Sequence, residues 1–215
     1  MMWSFPRAAG AAFTIISMAV AAACGGEKDR PAVSATHATP GTPMTGMAGM
    51  DAPVTIPPGV IYTAADVHFM QGMIAHHSQA IFMARMAASH KATARLLKFA
   101  QKIDQSQRAE IQLMQEWLRA KNQTAPDTAS YHTMMMPGML TADQVKQLEA
   151  AQGKEFDKQF LILMIQHHQG ALKMVADLLA TPQAAQDVDV NVFANDVDAV
   201  QTAEIALMHQ MLANL

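Results

Sequence analysis

Seven residues recur at identical spacing 91 positions apart: Asp66, Phe69, Met73, His76, His77, Ala80 and Met83 return as Asp157, Phe160, Met164, His167, His168, Ala171 and Met174. A chain that repeats itself in this way has two similar halves, and its fold must give both copies equivalent surroundings. Each copy gathers imidazole and thioether groups, two uncommon side chains. Metal binding is therefore the first functional expectation.

Both copies step in threes and fours, the spacing of one face of a helix. Thr63 followed by Asp66 has the form of a capping box, with Asp in place of Glu or Gln, and helical spacing then runs to about Ser89. A second helix is predicted from about Thr93 to Lys121, with a seam of Ala100, Ile103, Gln107, Glu110, Met114 and Trp117. Residues 122–140 read as a loop carrying Met134-Met135-Met136-Pro137-Gly138-Met139. Thr141 with Gln144 opens a short helix that Gly153 is expected to end or bend. A third long helix carries the second histidine pair to about Ala180, ahead of Pro182. The fourth, from about Val188 to Ala213, repeats the seam as Ala194, Val197, Gln201, Glu204, Met208 and Met211. Two helical hairpins, about residues 62–121 and 141–213, most simply bury their seams in an all-α four-helix bundle with an approximate two-fold axis.

The first sixty residues read differently. Residues 1–24 have the form of a secretory leader, with Arg7 before an apolar run from Ala8 to Ala23. The run ends Val20-Ala21-Ala22-Ala23-Cys24, similar to a bacterial lipobox with the lone cysteine at the lipidation site; Ala21 stands where leucine is usual, and plain cleavage near the same point is the alternative. Either outcome puts the mature chain outside the cytoplasm, in the periplasm and, if lipidated, anchored to a membrane only through Cys24. Residues 25–60 read as a disordered tether, and residues 61–215 as the folded bundle. In the tether, Met44, Met47 and Met50 lie beside His37, either wrapping a soft ion or merely forming a low-complexity linker. A net charge of -3 with only 15 Lys and Arg argues against a polyanion-binding face, so nucleic acid is not an expected partner.

The seam positions define the candidate site. His76 and His167 fall on the seam and face the bundle axis, whereas His77 and His168 are rotated by about 100° onto a flank. Met73 and Met83 line the same face as His76, and Met164 and Met174 the same face as His167; Met114 and Met208 are further candidates from the facing helices. Neutral sulfur with imidazole suits Cu(I), with Cu(II) taken more by histidine. The carboxylates Asp66, Asp157, Glu110 and Glu204 are expected to support the ligating groups by hydrogen bonds. A metal-free reading competes: the histidines, glutamines and glutamates could form an internal polar layer that sets helix register in a structural or interaction module. A metal-dependent oxidoreductase is a third reading, but no Glu-x-x-His spacing, nucleophile grouping, phosphate loop or dinucleotide fingerprint supports an enzyme class.

The stretches FMQGMIAHHSQAIFMARMA, QRAEIQLMQEWL and PGML...FDKQFLILMIQHHQGALKM, within about residues 62–213, resemble the family catalogued as domain of unknown function 305. The resemblance implies a ferritin-like four-helix bundle, and the family includes the CopM-type copper-binding proteins of bacterial periplasms. It further implies a secreted or lipid-anchored copper-binding protein that buffers copper, confers tolerance or delivers the ion to a transfer partner. The family's histidine pairs correspond to His76, His77, His167 and His168, and its flanking methionines to Met73, Met83, Met164 and Met174. Relatives often carry proline just before the pairs, where this chain has Ala75 and Gln166, so straighter helices are expected here.

Overall fold

The computed structural model describes residues 54–215; the leader, Cys24 and the Met44 to Met50 stretch lie outside them. Among the described residues are five α-helices: α1 (Ala64–Ser89), α2 (Ala94–Ala120), the short α3 (Ala142–Ala150), α4 (Gly153–Ala180) and α5 (Val188–Leu212). A 3-10 turn at Ser130–His132 interrupts the connection from α2 to α3. Among the described residues, no helix is long and apolar enough to cross a membrane.

Local chemistry sets the helix starts. Asp66 N–H donates to Thr63 Oγ1 at 3.3 Å, while the Asp66 carboxylate accepts from Thr63 N–H at 2.7 Å, satisfying amides that a first turn leaves open. Thr141 and Gln144 make the same reciprocal pair at α3. Gly153 departs from expectation: α3 has already ended at Ala150, and Gly153, at φ +56°, opens α4. Its N–H donates to the His90 carbonyl at 2.8 Å, and this left-handed conformation, which glycine adopts freely, lets the chain turn from one helix into the next.

The helices assemble into an all-α bundle in which α1 packs on α2, α4 packs on α5, and α1 meets α4 across the centre. Two apolar clusters fill it. One holds Phe69, Met73, Met114, Ala171 and Met174; the other holds Ala80, Met83, Phe160, Met164 and Met208. Each cluster takes the early part of one repeat and the late part of the other, so α1 and α4 run antiparallel about an approximate two-fold axis. Between the clusters lies a layer containing His76, His77, His167 and His168, each with 0% of its surface exposed.

The repeated aspartates lock the two halves together. Asp66 Oδ1 accepts from Ala185 N–H at 2.6 Å, in the connection between α4 and α5. Asp157 accepts from Thr93 N–H at 3.2 Å and from Thr93 Oγ1 at 2.5 Å, in the connection between α1 and α2. Each carboxylate thus grips the hairpin turn of the opposite half. This corrects their expected position beside the histidines, since ten residues of helix separate them by about 15 Å.

The connection over the centre is also packed. Met134, Met136 and Met139 are buried in the first cluster, and only Met135, at 44% exposure, faces outward among the four methionines. Gln79 pins the segment by accepting from Leu140 N–H at 2.7 Å and donating to Leu140 O at 3.1 Å. Gly138, at φ +77°, meets Gly170 of α4 backbone to backbone: a Cβ on Gly138 would stand 2.6 Å from the Gln166 carbonyl oxygen, and one on Gly170 would overlap the Pro137 carbonyl. The chain also lies on the bundle before Tyr62. Val54 and Ile56 pack against the first cluster, and Gln123 Nε2 donates to Thr55 O at 3.0 Å, within the stretch that composition assigns to the tether.

Candidate metal centre

The imidazoles of His76 and His167 meet at the axis, with ring centroids 3.8 Å apart and planes inclined by 44°. Their neighbours turn outward to the hairpin partners: His77 Nε2 lies 2.6 Å from Glu110 Oε2, and His168 Nε2 lies 3.0 Å from Glu204 Oε2. His76 Nε2 lies 3.1 Å from the Pro137 carbonyl oxygen. A carbonyl or carboxylate oxygen only accepts, so in all three rings Nε2 carries the hydrogen. In a neutral ring the lone pair is then on Nδ1.

Those Nδ1 atoms are buried and have no hydrogen-bond partner in the described structure, and His167 has none at either nitrogen. The Oε1 atoms of Gln107 and Gln201 are buried and unpartnered as well, and Glu204 Oε1 accepts no hydrogen bond, with Lys102 Nζ at 3.7 Å as its nearest cation. Leaving a buried polar group unsatisfied costs about 1 to 3 kcal/mol, so this layer is expensive as it stands. It is also the arrangement by which a protein presents a histidine to a metal: one ring nitrogen is tied to a carboxylate or carbonyl, and the other is left free to bind. The donor set fits a soft or borderline ion.

Burial keeps the inner rings neutral. It holds His76 down to about 3, aided by repulsion from His77 and His168 and opposed by the Pro137 hydrogen bond. His167 is also held well below the ordinary range, by burial first and then by repulsion from His76, His168 and His77, opposed by the backbone carbonyl of His76. For Glu110, burial acts upward, but the hydrogen bond and charge of His77 outweigh it and leave the carboxyl low. An unfolded His76 takes a proton near pH 6.5, whereas the folded one refuses it until about 3, so over that interval the unfolded chain binds more protons. His167 acts in the same direction, and Glu110 adds stability that disappears as pH falls through its lowered value. The metal-free protein should hold full stability above about pH 6.5 and lose it steadily toward about 3. Urea midpoints across that range check this, and a flat profile would refute neutral burial.

The methionines do not form one shell. Met73 and Met164 stand one turn from His76 and His167, whereas Met83 and Met174 stand two turns away, about 10 Å along the helices. Met114 and Met208 sit in the cores on either side of the layer. Among the described residues, no three His, Cys, Asp or Glu side chains are grouped so as to hold a metal, which leaves imidazole with thioether as the available combination. His68 is partly buried in α1 with an unpartnered Nδ1, and burial lowers its pKa.

Pro137, Gly138, Gly170 and Gln79 belong to the site although sequence patterning did not single them out as such. The repeat itself held a signal, because Gln79 and Gly170 occupy equivalent positions and differ. Gln79 binds the crossing loop through its side chain, and Gly170 admits it by having none.

Fold and site together define a class: a duplicated helical bundle with paired imidazoles in a buried layer between methionine-bearing cores. The chain belongs to the family described as Domain of unknown function (DUF305), whose model matches residues 66–212. A DUF305 fragment from Deinococcus radiodurans is 28% identical with a TM-score of 0.62, covering 72% of this chain and 99% of that one. A DUF305 protein from Streptomyces coelicolor is 27% identical with a TM-score of 0.62, covering 70% and 93%. CopM in its Cu(I)-bound form is 30% identical with a TM-score of 0.56, covering 69% and 96%, and CopM is also known in Cu(II)-bound, Ag-bound and apo forms. No curated protein matches this chain.

Proposed function

We propose that this bundle is a copper-binding protein that takes Cu(I), and Cu(II) through its histidines, outside the cytoplasm, and that it buffers or delivers the ion without catalysing a reaction. The observation that carries the reading is the set of buried Nδ1 atoms without hydrogen-bond partners on His76, His77 and His168, each ring held by a contact at Nε2, with His167 open at both nitrogens. Met73 and Met164 are the nearest thioethers, Met83, Met174, Met114 and Met208 extend the sulfur supply into both cores, and Glu110 and Glu204 hold the tautomers. The likeness to CopM, a protein solved with Cu(I), Cu(II) and silver, supports the choice of ion. The leader-like Met1 to Cys24 segment supports an extracytoplasmic location, with Cys24 as the lipid-anchor position.

Competition with a Cu(I) chelator tests the reading. The protein should hold Cu(I), and replacing His76, His77, His167 and His168 together should lower affinity by at least about 100-fold, within the usual worth of coordinating groups and their supports. Unchanged affinity would reject the bundle site. The short His77–Glu110 and His168–Glu204 bonds favour one rival, a polar layer that fixes register with no metal. That rival predicts the same melting temperature with and without copper, because only a ligand bound to the folded state raises stability.

A further inference from the structure

We propose that copper reaches the histidine layer through a single door, the cleft between α2 and α5 rimmed by Glu116, Asp189 and Asp196, and that the equivalent opening of the other half is closed to cations. The proposal rests on the copper reading. The cleft has a volume of about 500 Å³ and is lined at depth by Met70, Met114, Trp117 and Phe193. Met70 and Met114 are buried, yet both line it, so soft sulfur stands at the inner end of an acidic mouth. Lys121, the cation among its lining residues, is engaged with Asp187 at 3.1 Å. Behind the wall, the Phe193 ring lies 6.5 Å from the ring of His77, whose buried Nδ1 has no partner. Glu110, which holds His77, keeps 24% of its side chain in solvent.

The equivalent positions of the other half carry the opposite charge. The seams of α2 and α5 correspond at an offset of 94 residues, as in Gln107 with Gln201 and Glu110 with Glu204. At that offset Asp196 corresponds to Lys102, Asp189 to Arg95, Val192 to Lys98, and Glu116 to Gln210. The acidic rim of one half is a basic rim in its twin. Lys102 Nζ also lies 3.7 Å from Glu204 Oε1, and the Glu204 side chain is only 5% exposed. Rim carboxylates raise the local cation concentration and the association rate, and a basic rim lowers both. Thioethers at the inner end then favour soft ions over the hard cations that the same charges attract. The duplication thus supplies two similar binding halves, and divergence of a few surface charges makes the route one-sided.

Stopped-flow uptake of Ag(I), a soft ion that needs no reductant, can be followed through fluorescence in the full chain carrying Trp3→Phe, in which Trp117 is the one tryptophan. The same measurement is repeated with Cu(I). Glu116→Gln, Asp189→Asn and Asp196→Asn together should slow association about tenfold at low salt, with the difference vanishing at high ionic strength. Calorimetric affinity should change by no more than about threefold, because the charges act on passage rather than on the final ligands. Arg95→Gln, Lys98→Gln and Lys102→Gln together should leave the rate within about twofold. All six positions are exposed, and unchanged metal-free melting temperatures verify folding. Uptake at the wild-type rate in the acidic-rim variant, or equal slowing in both variants, overturns the door. A wild-type chain that takes up neither Ag(I) nor Cu(I) overturns the copper reading, and the door with it.

Discussion

His167→Leu should raise the melting temperature of the metal-free protein and weaken its hold on copper. The ring of His167 is fully buried, neither nitrogen has a partner, and burial together with three neighbouring imidazoles keeps it neutral. A leucine of similar bulk removes two unsatisfied polar atoms at about 1 to 3 kcal/mol each and loses some packing against His76. The expected net gain is about 1 to 2 kcal/mol, which for a protein of this size corresponds to roughly 2 to 4 °C per kcal/mol. His77→Leu should act oppositely on stability, because it strips Glu110 of its partner and leaves a partly buried carboxylate behind. A metal-free melting temperature that falls on His167→Leu would show a ring needed for packing, as the polar-layer reading requires. Stability sacrificed for a ligand position is the signature of a functional group.

Gly170→Ala should be among the most damaging single-methyl substitutions available in this chain. Its Cβ would overlap the Pro137 carbonyl and approach the Gly138 Cα to 2.6 Å, and both obstacles are backbone, which yields less readily than a flexible side chain. Overpacking of a well-packed core costs about 1 to 3 kcal/mol, and a backbone collision belongs at or above the top of that range. The loop must lift, which also removes the acceptor of His76 Nε2–H and frees that ring to change tautomer. Urea denaturation measures the loss, and nitrogen chemical shifts of His76 report the tautomer. Gly153→Ala is the control: its surroundings are open, so only the left-handed backbone, at about 1 to 2 kcal/mol, opposes the change. Equal effects at the two positions would show that the loop does not bear on α4 as described.

Much of the scaffold is legible in the primary structure because it is set by neighbours along the chain. Thr63 with Asp66 and Thr141 with Gln144 announce helix starts through contacts three residues apart, and the steps of three and four through Phe69, Met73, His76 and Ala80 mark a buried stripe. The division of each histidine pair between axis and flank follows from the rotation per residue alone. Contacts between distant segments are not legible in this way. Asp66 and Asp157 look like ligand supports because they accompany the histidines in the repeat, yet their partners are Ala185 and Thr93, 119 and 64 residues away. The Met134 to Met139 segment has the composition of an ion-collecting strand, but Gly138 and Gly170 let it sink against α4 and bury most of its sulfur.

The residue order alone settles that there are two equivalent helical hairpins and that each carries imidazole and thioether groups on its inward stripe, since these depend on periodicity and on an internal copy. Only the tertiary structure decides that the inner rings meet at 3.8 Å, which ring nitrogen is left unpartnered, and which flank carries the acidic cleft. Those properties arise where the Pro137 carbonyl, Glu110, Glu204 and Lys102 arrive from other segments. A hydrogen bond or an ion pair needs a partner within about 4 Å, and only the completed fold brings one there.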